Sequence, residues 1–403
     1  MTIQTPVRLS GAEESLVAQL ESVGATDAAE RLRVIGLPTR RVESYHYTDL
    51  KTLLGQVPPL ARAAQTASAP AIDIPGSYRI VIANGVVQAA ATAPAGVIVG
   101  AAEGSVLTTR DDVLVRLNAA LVAQSLTLEL SGSVDPVIHV DRRMEGEAAH
   151  VQSGAKISIA PGATATVIET ISGSDAAHMG NAGSYVSLGD GAEVTHILVD
   201  LSARQATNFA TVEYRVAGGA KLKSVVINAG AHLARANVFA DFVGEGSHGD
   251  FLGLNVVDTD EHRDITLDAT HAVPNTTSAE LYKQIARGRG RAVFQGKINV
   301  AVDAQKTDAK MMTQGLMLSD EAEILSKPEL EIFADDVVCG HGATCGDLDE
   351  AALFYLMSRG IPKADAETML IRAFLEEITE AVEDEYVAEA LSGIVERWLR
   401  KNT

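Results

Sequence analysis

Four stretches in the middle of the chain share one pattern: ISIAPGATATVIE (157–169), VSLGDGAEVTHIL (186–198), YRVAGGAKLKSVV (214–226) and DFVGEGSHGDFLG (241–253). Each places a turn glycine between two runs of β-forming residues, which indicates strand, tight turn and strand. The glycines are spaced by 29, 28 and 27 residues, at Gly162, Gly191, Gly219 and Gly246. So regular a period favours the stacked coils of a parallel β-helix. A β-sandwich built from hairpins would give a similar ladder and remains an alternative.

Helical patterns flank this β-rich region on both sides. Apolar residues in 11–56 keep an interrupted three-to-four spacing, and an Ala-, Pro- and Gly-rich linker follows at 58–75. Near the end of the chain two apolar stripes indicate helices, comprising Leu370, Phe374, Ile378 and Val382, then Leu391, Ile394, Val395 and Trp398. The sequence therefore predicts an N-terminal helical region with its linker (1–75), a β-helix core (76–346) and a C-terminal helical domain (347–403).

Composition and charge disfavour several classes of protein. The chain of 403 residues carries 53 acidic and 33 basic side chains, so its formal net charge of −20 opposes binding to nucleic acid or to anionic membranes. Two cysteines cannot form a secreted disulfide framework, and the N-terminus lacks the order of a signal peptide. Because no run of 18 apolar residues is present either, we expect a cytoplasmic protein that does not enter the membrane.

The strongest chemical signal is the segment ADDVVCGHGATCGDLD, residues 334–349. If Val337, Cys339 and His341 lie on one strand, alternation sends their side chains to the same face. Thiolate and imidazole are ligands of zinc and of iron-sulfur iron, but two ligands do not complete a tetrahedral site. We expect Cys345 to lie beyond a bend at Gly342. A Cys-x-His pair without function is the alternative.

Three other groups of residues are candidates for a site. The glycines of GRGRAVFQGK, which starts at Gly288, are misplaced for a phosphate-binding loop. Five basic residues there form a positive surface or pair with carboxylates, namely Lys283, Arg287, Arg289, Arg291 and Lys297. An acidic group with one histidine suits either a sugar-cleaving β-helix or, more simply, an exposed loop, and consists of Asp258, Asp260, Glu261, His262 and Asp264.

Two longer blocks resemble a known family. GLPTRRVESYHYTDL (36–50) and the block LYKQIARGRGRAVFQGKI…DAQKTDA…KPELEIFADDVVCGHGAT…GIP (281–362) are similar to the SufD-type scaffold subunits of the SufB/SufD family, from the SUF iron-sulfur cluster assembly system. The match departs at Tyr45-His46, where Trp-Lys is expected, and at Cys345, where an aliphatic residue is expected. Together the blocks cover about a quarter of the chain.

The resemblance implies a right-handed parallel β-helix between two helical regions, and a scaffold that is not itself an enzyme. It implies that this chain pairs with SufB, and that Cys339 and His341 hold a transient iron-sulfur cluster whose other ligands come from SufB. The departure at Cys345 leaves open whether this cysteine is an accessory to the site. The resemblance also implies binding of the ATPase SufC, while this chain binds no nucleotide. We expect the ATPase to dock on residues 347–403, where two apolar stripes exceed what capping requires. The isolated chain is expected to form a homodimer. A β-helical carbohydrate-active enzyme and a purely structural solenoid are the rival hypotheses.

Overall fold

The computed structural model describes residues 8–64, 68–107 and 110–400, and in them β-strands stack between helices at both ends. The strands are β1 (Tyr78–Ala83), β2 (Val86–Val87), β3 (Val97–Glu103), β4 (Gln124–Leu130), β5 (Ile138–Met144), β6 (His150–Ile159), β7 (Thr164–Gly173), β8 (Met179–Leu188), β9 (Glu193–Asp200), β10 (Thr207–Val216), β11 (Lys221–Asn228), β12 (Leu233–Phe242), β13 (His248–Val257), β14 (His262–His271), β15 (Thr277–Ala286), β16 (Arg291–Val300), β17 (Asp308–Met317), β18 (Glu323–Ile332) and β19 (Val338–Gly346). The α-helices are α1 (Gly11–Ser22), α2 (Thr26–Ile35), α3 (Leu50–Leu53), α4 (Val113–Leu121), α5 (Glu350–Ser358), α6 (Lys363–Thr379) and α7 (Glu385–Arg400), with a short 3-10 helix at Glu43–Tyr45.

The strands form a parallel β-solenoid of about eight turns. From β5 onward, odd-numbered strands build one sheet and even-numbered strands build the other, so each coil contributes one strand to each sheet. Neighbouring coils pair in parallel and in register, as β10 does with β12 from Thr207↔Leu233 to Val216↔Phe242. The prediction of a parallel β-helix core with helices at both ends is confirmed, and the sandwich alternative is wrong.

The four glycines of the ladder lie in tight turns, as predicted, and adopt the left-handed conformation with φ between 62° and 71°. The ladder continues where the sequence shows no glycine, because Asn275 (φ 58°) and Lys306 (φ 65°) occupy the same turn in later coils. Backbone hydrogen bonds link successive turns, such as Asn275 N to the carbonyl oxygen of Gln305 at 2.9 Å. The glycine period therefore marks four successive turns, and in the two turns that follow Asn275 and Lys306 keep the same geometry although they tolerate it less readily than glycine.

The two sheets share one core, in which inward aliphatic side chains stack from coil to coil. This interior also contains an ion pair between Arg142 and Glu169, both almost fully buried, and His196 hydrogen-bonds Glu169 at 3.0 Å. Burial alone would raise the pKa of Glu169, but Arg142 and His196 hold that pKa at about 2. A charged carboxylate is tolerated here because its partners replace the water that it loses.

The N-terminal helices cover the outer face of the even-numbered sheet. Leu16, Leu20 and Leu50 pack there against Phe209 and Leu233 at the starts of their strands. Tyr45, which departs from the family pattern, is buried and donates its hydroxyl hydrogen bond to Asp112 at 2.7 Å. The Tyr45 ring also lies 4.2 Å from the guanidinium of Arg235, so this position contributes both packing and polar contacts.

The C-terminal helices α6 and α7 cover the outer face of the odd-numbered sheet. Leu375 and Ile378 of α6 and Leu391 and Val395 of α7 are buried against outward apolar residues such as Ile227. The inference that both apolar stripes are spare for a partner is therefore wrong, because the solenoid itself buries them. No described helix combines the length and the apolar character needed to cross a membrane.

Candidate functional site

The solenoid is open at the end formed by β18 and β19. These strands are the last of their sheets, and among the described residues no strand pairs with their outer edges. The opposite end differs, because β1 and β2 pair antiparallel there, as do β3 and β4. An unpaired edge presents a row of N–H and C=O groups to another chain. The candidate Cys-His site lies on this open edge.

Cys339 and His341 occupy alternate positions of β19, opposite Ala309 and Met311 of β17. Ala309 and Met311 are buried inward residues, so both site side chains belong to the inward face of the strand. Cys339 packs against the edge of the interior core, whereas His341 is exposed. Two strand residues span about 7 Å, which lets a thiolate and an imidazole approach one metal ion. The alternation predicted for Cys339 and His341 is therefore observed, whereas Val337 precedes the strand, which begins at Val338.

Cys345 lies on the same strand and the same face. The expected bend at Gly342 is absent, since β19 pairs with β17 without interruption from Val338 to Gly346. The inward position is shown by Gly315, where a Cβ atom would come within 3.3 Å of the Cys345 Sγ. Cys345 is six residues from Cys339, or about 20 Å along an extended strand. One metal ion cannot bind both cysteines of the same chain.

Both thiols are free, and the pKa of each is raised. Burial is the main cause of the raised pKa of Cys339, and the carboxylates of Asp308 and Glu280 add to it, while a hydrogen bond involving the Ala309 backbone acts in the opposite direction. Burial and Asp347 raise the pKa of Cys345. Neither cysteine is activated by a neighbouring cation, so its thiolate forms when a metal or sulfur species displaces the proton.

The site as it stands in one chain is incomplete. Nowhere in the described ranges do three His, Cys, Asp or Glu side chains cluster closely enough to hold a metal ion. Cys339 and His341 supply two donors, whereas a tetrahedral zinc or iron centre needs four. Further ligands have to come from outside this chain if the pair is to hold a metal ion in that geometry.

The acidic group at the start of β14 is not an exposed loop, and that interpretation is wrong for most of its members. Asp264 is fully buried in an ion pair with Arg235 and also accepts a hydrogen bond from Thr48. Burial, reinforced by neighbouring arginines, lowers the pKa of His262 to about 3, so this imidazole is neutral. His262 and Asp264 both hydrogen-bond Thr48 and so fasten the N-terminal region to the sheet. These structural roles remove most of the motivation for a sugar-cleaving enzyme.

Four of the five basic residues in 283–297 pair with carboxylates, which is one of the two alternatives that the sequence left open. These ion pairs are Lys283–Glu377, Arg289–Asp260, Arg291–Glu323 and Lys297–Glu331. Lys283 and Arg287 have a second role that the sequence did not indicate. The Lys283 Nζ donates to the carbonyl oxygen of Phe374 at 2.8 Å, and the Arg287 guanidinium lies 4.3 Å from the Trp398 ring. Two of the five basic residues therefore anchor the C-terminal helices on the sheet.

A second surface that the sequence did not reveal lies on α5. This helix buries none of its residues, and Phe354 and Tyr355 expose 73% and 56% of their surface. Beside it a groove of about 690 Å³ runs between α5, α6 and the segment after β17. Its acidic residues are Asp320, Asp347, Glu350 and Glu367. Exposed aromatic side chains next to a groove are typical of a protein-binding surface.

Comparison with known proteins agrees with the site and the fold. Residues 142–374 match the family described as "SUF system FeS cluster assembly, SufBD core domain". The iron-sulfur cluster assembly protein SufD of Escherichia coli (strain K12) is 33% identical over 386 residues, which cover 88% of each chain. A SufBD family protein of Mycobacterium tuberculosis (strain ATCC 25618 / H37Rv) is 27% identical over 90% of this chain and 89% of its own. One from Synechocystis is 35% identical over 51% of this chain and 45% of its own. This chain therefore belongs to the SufBD family of iron-sulfur cluster assembly scaffolds, as a SufD-like member.

Proposed function

We propose that this chain pairs with SufB through β19 and that a nascent iron-sulfur cluster is assembled between them, on Cys339, His341 and ligands of SufB. One observation carries the proposal: a thiol and an imidazole lie together on the inward face of β19, the edge strand of its sheet. A partner strand that continues the sheet brings its own side chains beside this pair. The two-donor site of this chain then becomes one half of a complete site.

The chain acts as a scaffold rather than as an enzyme. The cluster is assembled on the scaffold and then transferred to another protein. One subunit therefore does not need to supply all of its ligands. The contact between β19 and the partner strand of SufB is buried, which excludes oxygen and water from the reactive sulfur. Motion of the partner ATPase supplies the work that opens this contact, and this chain binds no nucleotide.

The test is anaerobic reconstitution of the complex of this chain with SufB and SufC. We expect His341→Ala to lose most of the cluster absorbance while gel filtration shows an unchanged complex. Thr344→Ala is the matched control, because Thr344 lies on the opposite face of the same strand and should keep the wild-type cluster. Equal cluster content in both variants would remove His341 from the site.

The C-terminal domain, residues 347–403, is proposed as the docking site for SufC. Since the stripes of α6 and α7 are buried on the solenoid, the exposed aromatic side chains of α5 and the adjacent groove become the contact surface within this domain. Deleting 385–403 would not test this docking cleanly, because α7 is part of the packed core of the domain.

A surface substitution tests this docking without disturbing the fold. Phe354→Ala should weaken SufC binding at least tenfold, because exposed aromatic residues in such surfaces contribute about 2 kcal/mol or more. Tyr386→Ala is the control, since Tyr386 is 55% exposed but belongs to α7. Isothermal titration with purified SufC measures both variants. Native affinity of Phe354→Ala would place the docking surface elsewhere.

In the absence of SufB, the same edge is proposed to pair with a second copy of this chain. A homodimer covers the unpaired backbone groups of β19 but supplies a different ligand set from that of SufB. We therefore expect the isolated protein to sediment as a dimer and to hold iron-sulfur clusters poorly.

A further inference from the structure

The two strands at the open end differ in how they are protected against pairing. β18 carries Lys327, Pro328 and three glutamates, which are the residues that natural edge strands use to prevent association. β19 has the sequence VCGHGATCG, without proline and without an acidic side chain, a lysine or an arginine. Its side chains are small, apart from Val338, His341 and the two cysteines. The edge of β19 is therefore the one left open to another strand.

The two cysteines are placed symmetrically on this strand. Gly342 is the middle residue of Val338–Gly346, and Cys339 and Cys345 lie three residues to either side of it. Two identical chains that pair around a twofold axis bring the same strand together with itself in antiparallel direction. Full overlap of the nine-residue strand places Gly342 on the axis. Cys339 of each copy then lies directly opposite Cys345 of the other copy.

We propose that a second copy of this chain pairs antiparallel along β19, and that Cys339 and His341 of one copy bind a zinc or ferrous ion together with Cys345 of the other. The twofold axis makes two such sites in each dimer. The inference rests on the edge pairing proposed above and assigns a ligand role to Cys345, which cannot reach Cys339 within its own chain.

The geometry of an antiparallel pair fits this ligand set. Directly opposite residues have Cβ atoms about 4.5–5.5 Å apart and point to the same face of the sheet, so both thiols reach one metal ion. His341 is the diagonal neighbour of Cys345 of the other copy and faces Ala343, whose methyl group leaves space for the imidazole. Two thiolates and one imidazole bind zinc or ferrous iron, and the fourth position stays open to sulfide or water.

Thiol cross-linking tests the register directly. Diamide oxidises two adjacent thiols to a disulfide and takes up the two protons and two electrons as the hydrazine. On a non-reducing gel, diamide-treated wild type should migrate as a covalent dimer. Cys339→Ser alone and Cys345→Ser alone should each lose the dimer band at least tenfold. The two variants co-expressed should regain about half of the wild-type yield, because random assortment makes half of the dimers mixed.

Cobalt titration tests the metal site with the same proteins. Wild type should bind one Co²⁺ per chain with a thiolate charge-transfer band, and His341→Ala should weaken this binding at least tenfold. Cys345→Ser should lose the band to a similar extent although its Cys339 and His341 are intact. A wild-type band in Cys345→Ser would overturn the proposed ligand set.

Sedimentation separates failure of this inference from failure of the pairing itself. A monomeric isolated chain would refute edge pairing between copies, and with it both the homodimer and this site. A dimer in which a single-cysteine variant cross-links as fully as wild type would leave the pairing intact and refute the register. A dimer whose co-expressed variants fail to cross-link would refute it as well.

Discussion

The substitution Arg142→Met removes a positively charged side chain from the interior of the solenoid and tests how the buried polar groups there are stabilised. The Arg142 side chain is 3% exposed and hydrogen-bonds Glu169, Ser153 and Ser184, the last two at 2.8 Å each. Methionine fills a similar volume but leaves the buried carboxylate of Glu169 without its main counter-charge. His196 then remains as its principal polar partner.

The expected loss follows from the burial of both partners. Removing one partner of a buried ion pair lowers the free energy of unfolding by about 3–5 kcal/mol, because the remaining charge is left uncompensated. The wild-type Glu169 pKa of about 2, against an ordinary 4.5, corresponds to about 3 kcal/mol. Since the folded pKa is lowered, this stabilisation is present above pH 4.5 and is lost as the pH falls towards 2. In Arg142→Met, burial raises the pKa of Glu169, so the variant should be least impaired at low pH.

Urea unfolding followed by circular dichroism at pH 7 and at pH 4 measures both effects. The difference between wild type and Arg142→Met should be about 3–5 kcal/mol at pH 7 and smaller at pH 4. Arg204→Met is the control, since its side chain is 68% exposed and should change stability by less than about 0.5 kcal/mol. The double variant Arg142→Met/Glu169→Leu should regain most of the loss. A loss below about 1 kcal/mol, or one that grows at pH 4, would refute this reasoning.

Two substitutions test packing elsewhere. Leu391→Ala in α7 should lower the free energy of unfolding by about 2–5 kcal/mol, because this side chain is fully buried against the solenoid, and hydrogen exchange should rise in both C-terminal helices. Unchanged exchange would mean that the helices do not depend on this contact. Gly253→Ala should cost about 1–3 kcal/mol in thermal unfolding, since its Cβ would come within 2.3 Å of the Tyr282 ring, whereas Gly340→Ala, which has open space, serves as the control. A similar effect at both glycines would contradict this account.

The pattern of local residues was sufficient to predict the repeating unit. A coil of the solenoid is specified by strand-forming runs and by the turn between them, and both depend on residues close together in the sequence. The glycine ladder predicted the fold because a left-handed turn selects glycine strongly. It stopped at Gly246 because Asn275 and Lys306 adopt the same conformation without a glycine to mark it.

The alternation of Cys339 and His341 was likewise predictable, since a strand sends every second side chain to one face. The placement of Cys345 was not. A glycine such as Gly342 permits a bend but does not require one, and the pairing of β19 with β17 keeps the strand extended. Whether Cys345 shares the face of the site therefore depends on a neighbour about thirty residues earlier in the chain.

The sequence by itself determined the coil, its period and the two donors on one face, because each follows from conformational preferences of neighbouring residues. The tertiary structure decided which surfaces remain available. In the sequence, the apolar stripes of α6 and α7 suggested a surface available to a partner, but they are buried on the odd-numbered sheet. The aromatic residues of α5 are exposed instead. Charged groups that looked solvent-exposed, such as Asp264 and Lys283, are buried and paired. A pattern along the chain shows that a face is apolar or charged, but its partner is set by packing between distant segments.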